Sequence, residues 1–413
     1  MRCLAGGDDC PELDERLGRR VPPQMAHRRG IIINAASVGE VAEAESLIRA
    51  LHSLAPDLEF LITTGNRDGR IRASRVAKTG GPRIRTCYLP WDRRRVVRQW
   101  LRSVSPLAVV TLESDIWPNL ILSCRDLNIP VHIVNGRIDD SDLWGYRLAS
   151  RLFRAVLPII SSVGVQNQDE GNKFVSIGAR RESIYVGGNL KFDTPPPDGT
   201  ADRRLQSLRP DDGPLIIAGS THGNEEEIIV RIFIRLRAQV PGIRLVLAPR
   251  RIVRARRIHR MLRRYNMTVA RWSLKETLGQ RWEVMLVDEI GSLDDIYRFG
   301  AVAIVGGTFV PHGGHNPIEP ARFGVPVIAG PHHQHFDAIM KAFAQYEAII
   351  LARGPEGLEK ALTRVLIDPS FAGALGDRGR SVVEGLSGSA DRYARSVLDI
   401  HLSRQPSHVD HAG

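Results

Sequence analysis

Hydrophobic positions along the chain fall into short runs, separated by stretches with helical spacing. Ile31-Ile32-Ile33 opens the first convincing strand, and apolar residues from Val41 to Leu54 then recur at helical intervals. Residues 58–64, 107–112, 131–134 and 159–165 form four more strand-like runs with helical segments between them. The texture breaks at Thr194-Pro195-Pro196-Pro197-Asp198-Gly199, a Pro-rich stretch that reads as a linker. Strand-like runs resume at 215–218, 243–248, 284–287, 301–305 and 325–329. Short strands alternating with helices predict βαβ units and parallel sheets. The chain is therefore expected to be α/β, with two doubly wound Rossmann-like domains. The expected divisions are a polar segment 1–28, a first domain 29–193, a linker 194–212, a second domain 213–400 and a polar tail 401–413.

The length of 413 residues exceeds what one ordinary core organises, which agrees with two domains. Hydrophobic residues reach 43% while aromatics stay at 6%, a balance that suits buried parallel strands. Lys and Arg total 57 against 46 Asp and Glu, a net charge of +11. The excess is mostly arginine, as in Arg93-Arg94-Arg95, Arg180-Arg181 and the 250–257 stretch. Such a surface favours anionic partners: nucleic acid, anionic membrane or phosphorylated substrates. Cys3, Cys10, Cys87 and Cys124 include no C-x-x-C pair, which argues against a disulfide framework or a zinc ribbon. The sequence shows no apolar stretch long enough for a signal peptide or a spanning helix. A soluble or peripheral cytoplasmic protein is expected.

Ligands of doubly wound sheets bind beyond the carboxyl ends of the strands, so the residues after each run are the candidates. The first run leads into Ala36-Ser37-Val38-Gly39-Glu40. Glu40 falls near a helix start, where a carboxylate complements the helix dipole or acts as a general base. The third run leads into Glu113-Ser114-Asp115-Ile116-Trp117-Pro118. This is either a site edge or a helix start with Pro118 in its first turn. Asp140-x-Asp142 formally matches a metal-binding pair, but a metal needs more oxygen ligands. In Gly187-Gly188-Asn189-Leu190-Lys191-Phe192-Asp193, Lys191 is placed to reach a phosphate or carboxylate, although loop lysines are commonly solvated.

In the second half, Ser220-Thr221-His222 follows a strand and precedes the acidic helix start Glu225-Glu226-Glu227, and Pro249-Arg250 follows another strand. The most informative stretch runs from Val305 to Pro320: a strand, a Gly-rich loop, then Asn316-Pro317 opening a helix. Backbone N–H groups at a helix start suit a phosphate, and Pro317 costs nothing there. Glu319 is placed to accept from two vicinal ribose hydroxyls. His312 and His315 are flanked by glycines and lack partners, so no metal is expected. A tight structural turn is the plain alternative.

The motifs A-S-V-G-E at 36–40, Y-L-P-W-D at 88–92, L-E-S-D-I-W-P-N at 112–119 and G-N-L-K-F-D at 188–193 are followed by S-T-H at 220–222, P-R at 249–250 and G-G-H-N-P-I-E-P at 313–320. In this order and spacing the chain resembles the transferases of 3-deoxy-D-manno-octulosonic acid (Kdo) in lipopolysaccharide biosynthesis. The resemblance implies a GT-B fold with an interdomain cleft, and an inverting glycosyltransferase. The implied reaction moves Kdo from CMP-Kdo to a lipid A precursor resembling lipid IVA, with no cofactor and no metal. It implies Glu40 as catalytic base and Glu113 and Lys191 as transition-state stabilisers. It implies CMP contacts from Pro249, Arg250, Ile290, Gly291, Ser292, Asn316, Pro317, Ile318 and Glu319. The family usually has glutamate where Ser292 stands and His-Pro where Arg251-Ile252 stand.

Members of that family commonly begin with an apolar anchoring helix. The expected location is the cytoplasmic face of the inner membrane, either through such an anchor or through contact of the basic surface with anionic lipid. Rival readings are a nucleotide-sugar epimerase or a transferase of a Kdo relative on the same fold. A basic nucleic-acid-binding protein is more distant, because the arginines accompany no known binding module; nucleic acid is not expected as a partner.

Overall fold

The computed structural model describes residues 11–20, 30–80, 83–194, 203–208, 213–274 and 281–402. Within the expected segments, 1–10 and 21–28 of the N-terminal stretch, 195–202 and 209–212 of the linker, and 403–413 of the tail lie outside the described residues. The chain divides into a first unit, 1–194 with 386–413, and a second unit, 195–385.

The first unit is built on seven parallel strands. They are β1 (Gly30–Asn34), β2 (Glu59–Thr64), β3 (Ile84–Tyr88), β4 (Ala108–Leu112), β5 (Val131–Gly136), β6 (Ser162–Val165) and β7 (Ile184–Val186), ordered β3-β2-β1-β4-β5-β6-β7. Every residue of β1 is buried, because helices cover both faces of the sheet. Ile31 and Ile33 enter the core beneath helix Val38–Leu54, while Ile32 faces the opposite core with Trp100 and Leu101. Each such side chain removed from water contributes about 1.5–3 kcal/mol. The strand order reverses direction between β1 and β4, which opens a crevice at their carboxyl ends.

The second unit repeats the plan. Its strands are β8 (Leu215–Thr221), β9 (Arg244–Pro249), β10 (Val269–Arg271), β11 (Val284–Leu286), β12 (Val302–Val305), β13 (Val327–Ala329) and β14 (Ile350–Leu351). They are all parallel, ordered β10-β11-β9-β8-β12-β13-β14, with the reversal between β8 and β12. Ile216 and Ala218 of β8 face one core, and Leu215 and Ile217 the other.

Two expectations need correction. The run at 159–165 is not all strand: Leu157–Ile159 forms a 3-10 turn and β6 begins at Ser162. Pro158 lacks the N–H that a ladder requires, so pairing starts beyond it. The second domain also does not continue to 400. Helix Ser389–Leu402 belongs to the first unit, where Tyr393, Ala394 and Val397 join the core of helix Val38–Leu54. The Tyr393 hydroxyl lies 2.6 Å from the Gly188 carbonyl oxygen, and Asp193 accepts the Ala390 N–H at 2.8 Å. Among the described residues, no helix is long and apolar enough to cross a membrane.

Candidate functional site

The β1/β4 reversal collects a compact set of carboxylates. Ser37 is the N-cap of helix Val38–Leu54, and its hydroxyl accepts the Glu40 N–H at 3.3 Å. Glu40 reaches back so that its Oε2 accepts the Ala36 N–H at 2.9 Å, a reciprocal capping arrangement. Burial pushes the Glu40 carboxyl up to about 7, helped by the Asp115 and Glu113 carboxylates and opposed by its bonds to Ser37 and Ala36. A carboxylate poised there suits general-base work at neutral pH.

Glu113 follows β4 with φ +53 and donates its N–H to Val134 O at 3.1 Å. Its Oε1 and the Oε1 of Glu43 each lie 3.5 Å from the Lys191 ammonium. Burial alone would lower Lys191, but the Glu43 and Glu113 carboxylates outweigh it and hold the ammonium above its ordinary value. Glu43 is only 1% exposed; burial pushes its carboxyl up, against the pull of Lys191.

Asn135, with φ +57, ties this group together. Its amide donates to Glu43 Oε2 at 2.8 Å and its carbonyl accepts the Leu190 N–H at 3.1 Å, which positions the turn carrying Lys191. Beside them Asp115 accepts from Asn34 at 2.7 Å, and burial raises its carboxyl as well. The structure thus brings Glu40, Glu113 and Lys191 into one electrostatic group and adds Glu43 and Asn135. Glu43 had a visible signal: it lies three residues after Glu40, on the same helical face.

The second site occupies the equivalent β8/β12 reversal. Pro249 ends β9 beside Thr221, and the Arg250 N–H donates to Thr221 O at 3.0 Å. Ile290 is 78% exposed, Gly291 has φ +98 with open space around it, and Ser292 precedes the short helix Leu293–Tyr297. Asn316 accepts the Ile318 N–H at 3.1 Å, and Glu319 lies within 3.5 Å of the Asn316 amide. Burial and then the Asp294 carboxylate raise Glu319, opposed by Arg322, Asn316 and Arg250.

The helix start expected here is reduced. Helix Ile318–Ala321 has only four residues, and Asn316 already occupies one of its first N–H groups. A single turn carries little of the dipole that a longer helix would offer an anion.

Glu225 is the organiser missed in the sequence. Its carboxylate accepts the N–H groups of His222, Gly307 and Phe309 at 2.8, 2.8 and 2.9 Å, which binds the two loops to one helix start. His312 and His315 do have a partner: His222 packs against His312 with the rings tilted by 35° and their centroids 3.6 Å apart, and contacts His315 through Nε2. The ring nitrogens available on the three lie within 4.8 Å of one another, so among the described residues they form a group that could ligate a metal. The D-x-D pair does not serve: Asp140 is held by Lys173 at 2.7 Å.

The family model for 3-deoxy-D-manno-octulosonic-acid transferase (kdotransferase) matches residues 11–194. The 3-deoxy-D-manno-octulosonic acid transferase of Haemophilus influenzae is 32% identical over 387 residues, covering 93% of this chain and 88% of that protein. The transferase of the same description from Bordetella pertussis is 29% identical, covering 93% of this chain and 90% of its own length. In fold, the chain is similar to the UDP-GlcNAc 2-epimerase of Neisseria meningitidis bound to UDP-GlcNAc. That match has a TM-score of 0.63 at 12% identity, over 91% of this chain and all of that one. The doubly wound GT-B expectation stands on these strand orders and on that likeness of fold.

Proposed function

Since the chain belongs to the 3-deoxy-D-manno-octulosonic acid transferase family, whose members are glycosyltransferases of lipopolysaccharide biosynthesis, we propose that its donor is CMP-Kdo and its acceptor a lipid A precursor. We propose further that transfer inverts the anomeric centre, with Glu40 as base. The observation that carries this reading is the state of Glu40. It is fixed by Ala36 and Ser37, pushed up to about 7, and set in a group with one ammonium. Such a carboxylate is uncharged often enough to release its proton again, yet basic enough to take one from a sugar hydroxyl.

Departure of the nucleotide leaves positive charge on the sugar ring, and the donor's own carboxylate is next to it. Lys191, kept charged by Glu43 and Glu113, meets negative charge on the donor, while Glu113 offsets charge on the ring. Arg250 meets the phosphate, and Asn316 and Glu319 meet the ribose. This chemistry needs no metal.

The proposed location is the cytoplasmic face of the inner membrane. Trp144 and Leu148, one helical turn apart, are 72% and 75% exposed on helix Asp140–Leu148. Tyr146 of that helix donates to the Ser114 carbonyl, next to Glu113. An exposed Trp and Leu on a basic protein suit the boundary of an anionic bilayer.

The test is direct. Enzyme incubated with CMP-Kdo, generated in situ, and a tetraacylated lipid A precursor is expected to add the mass of Kdo, read by mass spectrometry. Unchanged acceptor together with intact CMP binding would reject the acceptor, and absence of both would reject the reading. Trp144→Ala with Leu148→Ala is expected to reduce sedimentation with anionic vesicles several-fold. Unchanged sedimentation would remove this face from the membrane contact.

A further inference from the structure

The positive charge of the chain is concentrated in one stretch of the second unit. From Ile228 to Lys275 the sequence holds thirteen Arg, one Lys and no Asp or Glu. That exceeds the net charge of +11 for the whole chain, so the remainder is slightly acidic. At the centre of the stretch is helix Ala255–Arg264. Ala255, Ile258 and Leu262 bury one side of it in the core of the unit. Arg256, Arg257, Arg260, Arg263 and Arg264 are all exposed. Their spacing of i, i+1, i+4, i+7 and i+8 gathers them on the opposite face.

Arginines nearby are neutralised, and these are not. On helix Glu225–Leu236, which packs on this one, Arg231 pairs with Glu227 and Arg235 with Glu359, each at 2.6 Å. Arg254, just before the arginine helix, pairs with Glu226 at 2.7 Å. Among the described residues, none of the five arginines on the exposed face has a carboxylate partner. Arg256 and Arg260 are four residues apart, as are Arg260 and Arg264, and like charges at that spacing weaken a helix. Within the fold such a face is destabilising; against an anionic surface the same charges attract.

Guanidinium forks match phosphate oxygens two at a time. The helix carries no Phe, Tyr or Trp on which bases would stack. Val253 is 85% exposed on the turn Ile252–Arg254 that leads into the helix, between Arg251 and Arg254. An apolar tip rimmed by arginines suits the boundary between headgroups and acyl chains. We propose that helix Ala255–Arg264, with Val253 at its edge, is an electrostatic docking face for an anionic phospholipid bilayer. This rests on the reading of the acceptor as a lipid. The contact is distinct from Trp144 and Leu148, which are apolar and belong to the first unit. It acts through charge, and it holds the unit with the proposed donor contacts to the surface in which the acceptor is dissolved.

Sedimentation of the full chain with vesicles of equal parts phosphatidylcholine and phosphatidylglycerol tests this. Binding is expected to fall steeply from about 50 mM to about 500 mM salt, as screening shortens the reach of the arginines. The triple variant Arg256→Gln, Arg260→Gln and Arg263→Gln is expected to bind about tenfold or more weakly at low salt and to lose most of that salt dependence. Lysine at the same three positions is expected to restore most of the binding. Trp144→Ala with Leu148→Ala is expected to keep the salt dependence. The glutamine variant is expected to unfold at a denaturant midpoint no lower than the wild type, because like charges are relieved, and to transfer Kdo at the wild-type rate to acceptor dispersed in detergent. A folded glutamine variant that sediments like the wild type overturns the proposal, and so does one that loses affinity for duplex DNA but none for vesicles. A wild type that binds vesicles in this salt-dependent, arginine-dependent way yet transfers no Kdo in detergent supports the docking face and overturns the Kdo reading instead.

Discussion

The two reversal points occupy the same place in the same topology, yet they carry opposite charge. In the first unit, Glu40, Glu43, Glu113 and Asp115 surround one lysine. In the second, three histidines sit among arginines. Both use a glutamate near a helix start to hold a loop, and here the contrast is sharpest. Glu225 accepts three backbone N–H groups, whereas the backbone gives Glu40 only the Ala36 N–H. Topology sets where a crevice opens; burial raises the carboxyls of both glutamates, and the three backbone donors that Glu225 accepts make it the one that binds loops together.

Three experiments press on this contrast. The largest expected effect is on rate. Glu40→Gln is expected to slow transfer by about 10²–10⁴-fold, the usual contribution of a general base. In the wild type, kcat/KM is expected to rise with pH through about 7, the value at which Glu40 loses its proton. A flat profile, or a variant with near wild-type turnover, would remove Glu40 from the proton transfer.

Next in size is stability. Glu225→Ala leaves three backbone donors without their partner, each costing about 1–3 kcal/mol where buried. A loss of about 3 kcal/mol or more is expected in denaturant unfolding followed at the second unit. A loss no greater than that of an exposed glutamate would make the two carboxylates alike.

The smallest effect carries an unusual sign. The Glu40 carboxyl binds its proton more tightly in the folded chain, about 7 against 4.5. Its contribution to stability is therefore present at low pH and is lost as pH rises through that window. Glu40→Gln is expected to be slightly more stable than the wild type at about pH 8, with no such gain at about pH 4. Equal denaturation midpoints at both values would contradict the raised carboxyl.

The inner strands could be read from sequence because burial on both faces demands unbroken apolar runs. The runs at 31–33, 107–112 and 215–218 correspond to β1, β4 and β8. The strands without a recognised run are β3, β7, β10 and β14, and these are the edges of the two sheets. An edge strand has fewer covered positions, so its pattern loses contrast: Ile184–Val186 has no buried residue, whereas Ala108–Leu112 is wholly buried. That helix Ser389–Leu402 joins the first unit was not legible, because its partners lie about 200 residues earlier in the chain, at Gly188 and Asp193, or more than 300 residues earlier, on helix Val38–Leu54. Glu40, Glu113 and Lys191 were found through motifs. The roles of Asn135 and Glu225 depend on contacts between loops distant in sequence, which spacing does not encode.

The return of the chain to the first unit has a consequence for synthesis. A ribosome emits residues 30–194 long before Tyr393, so the growing chain holds helix Val38–Leu54 with part of its covering still unmade. The second unit is continuous in sequence and can finish first, although it is made later. A stop codon shortly before residue 389 would spare every proposed catalytic group and still leave the first unit's apolar core open to water and to chaperones.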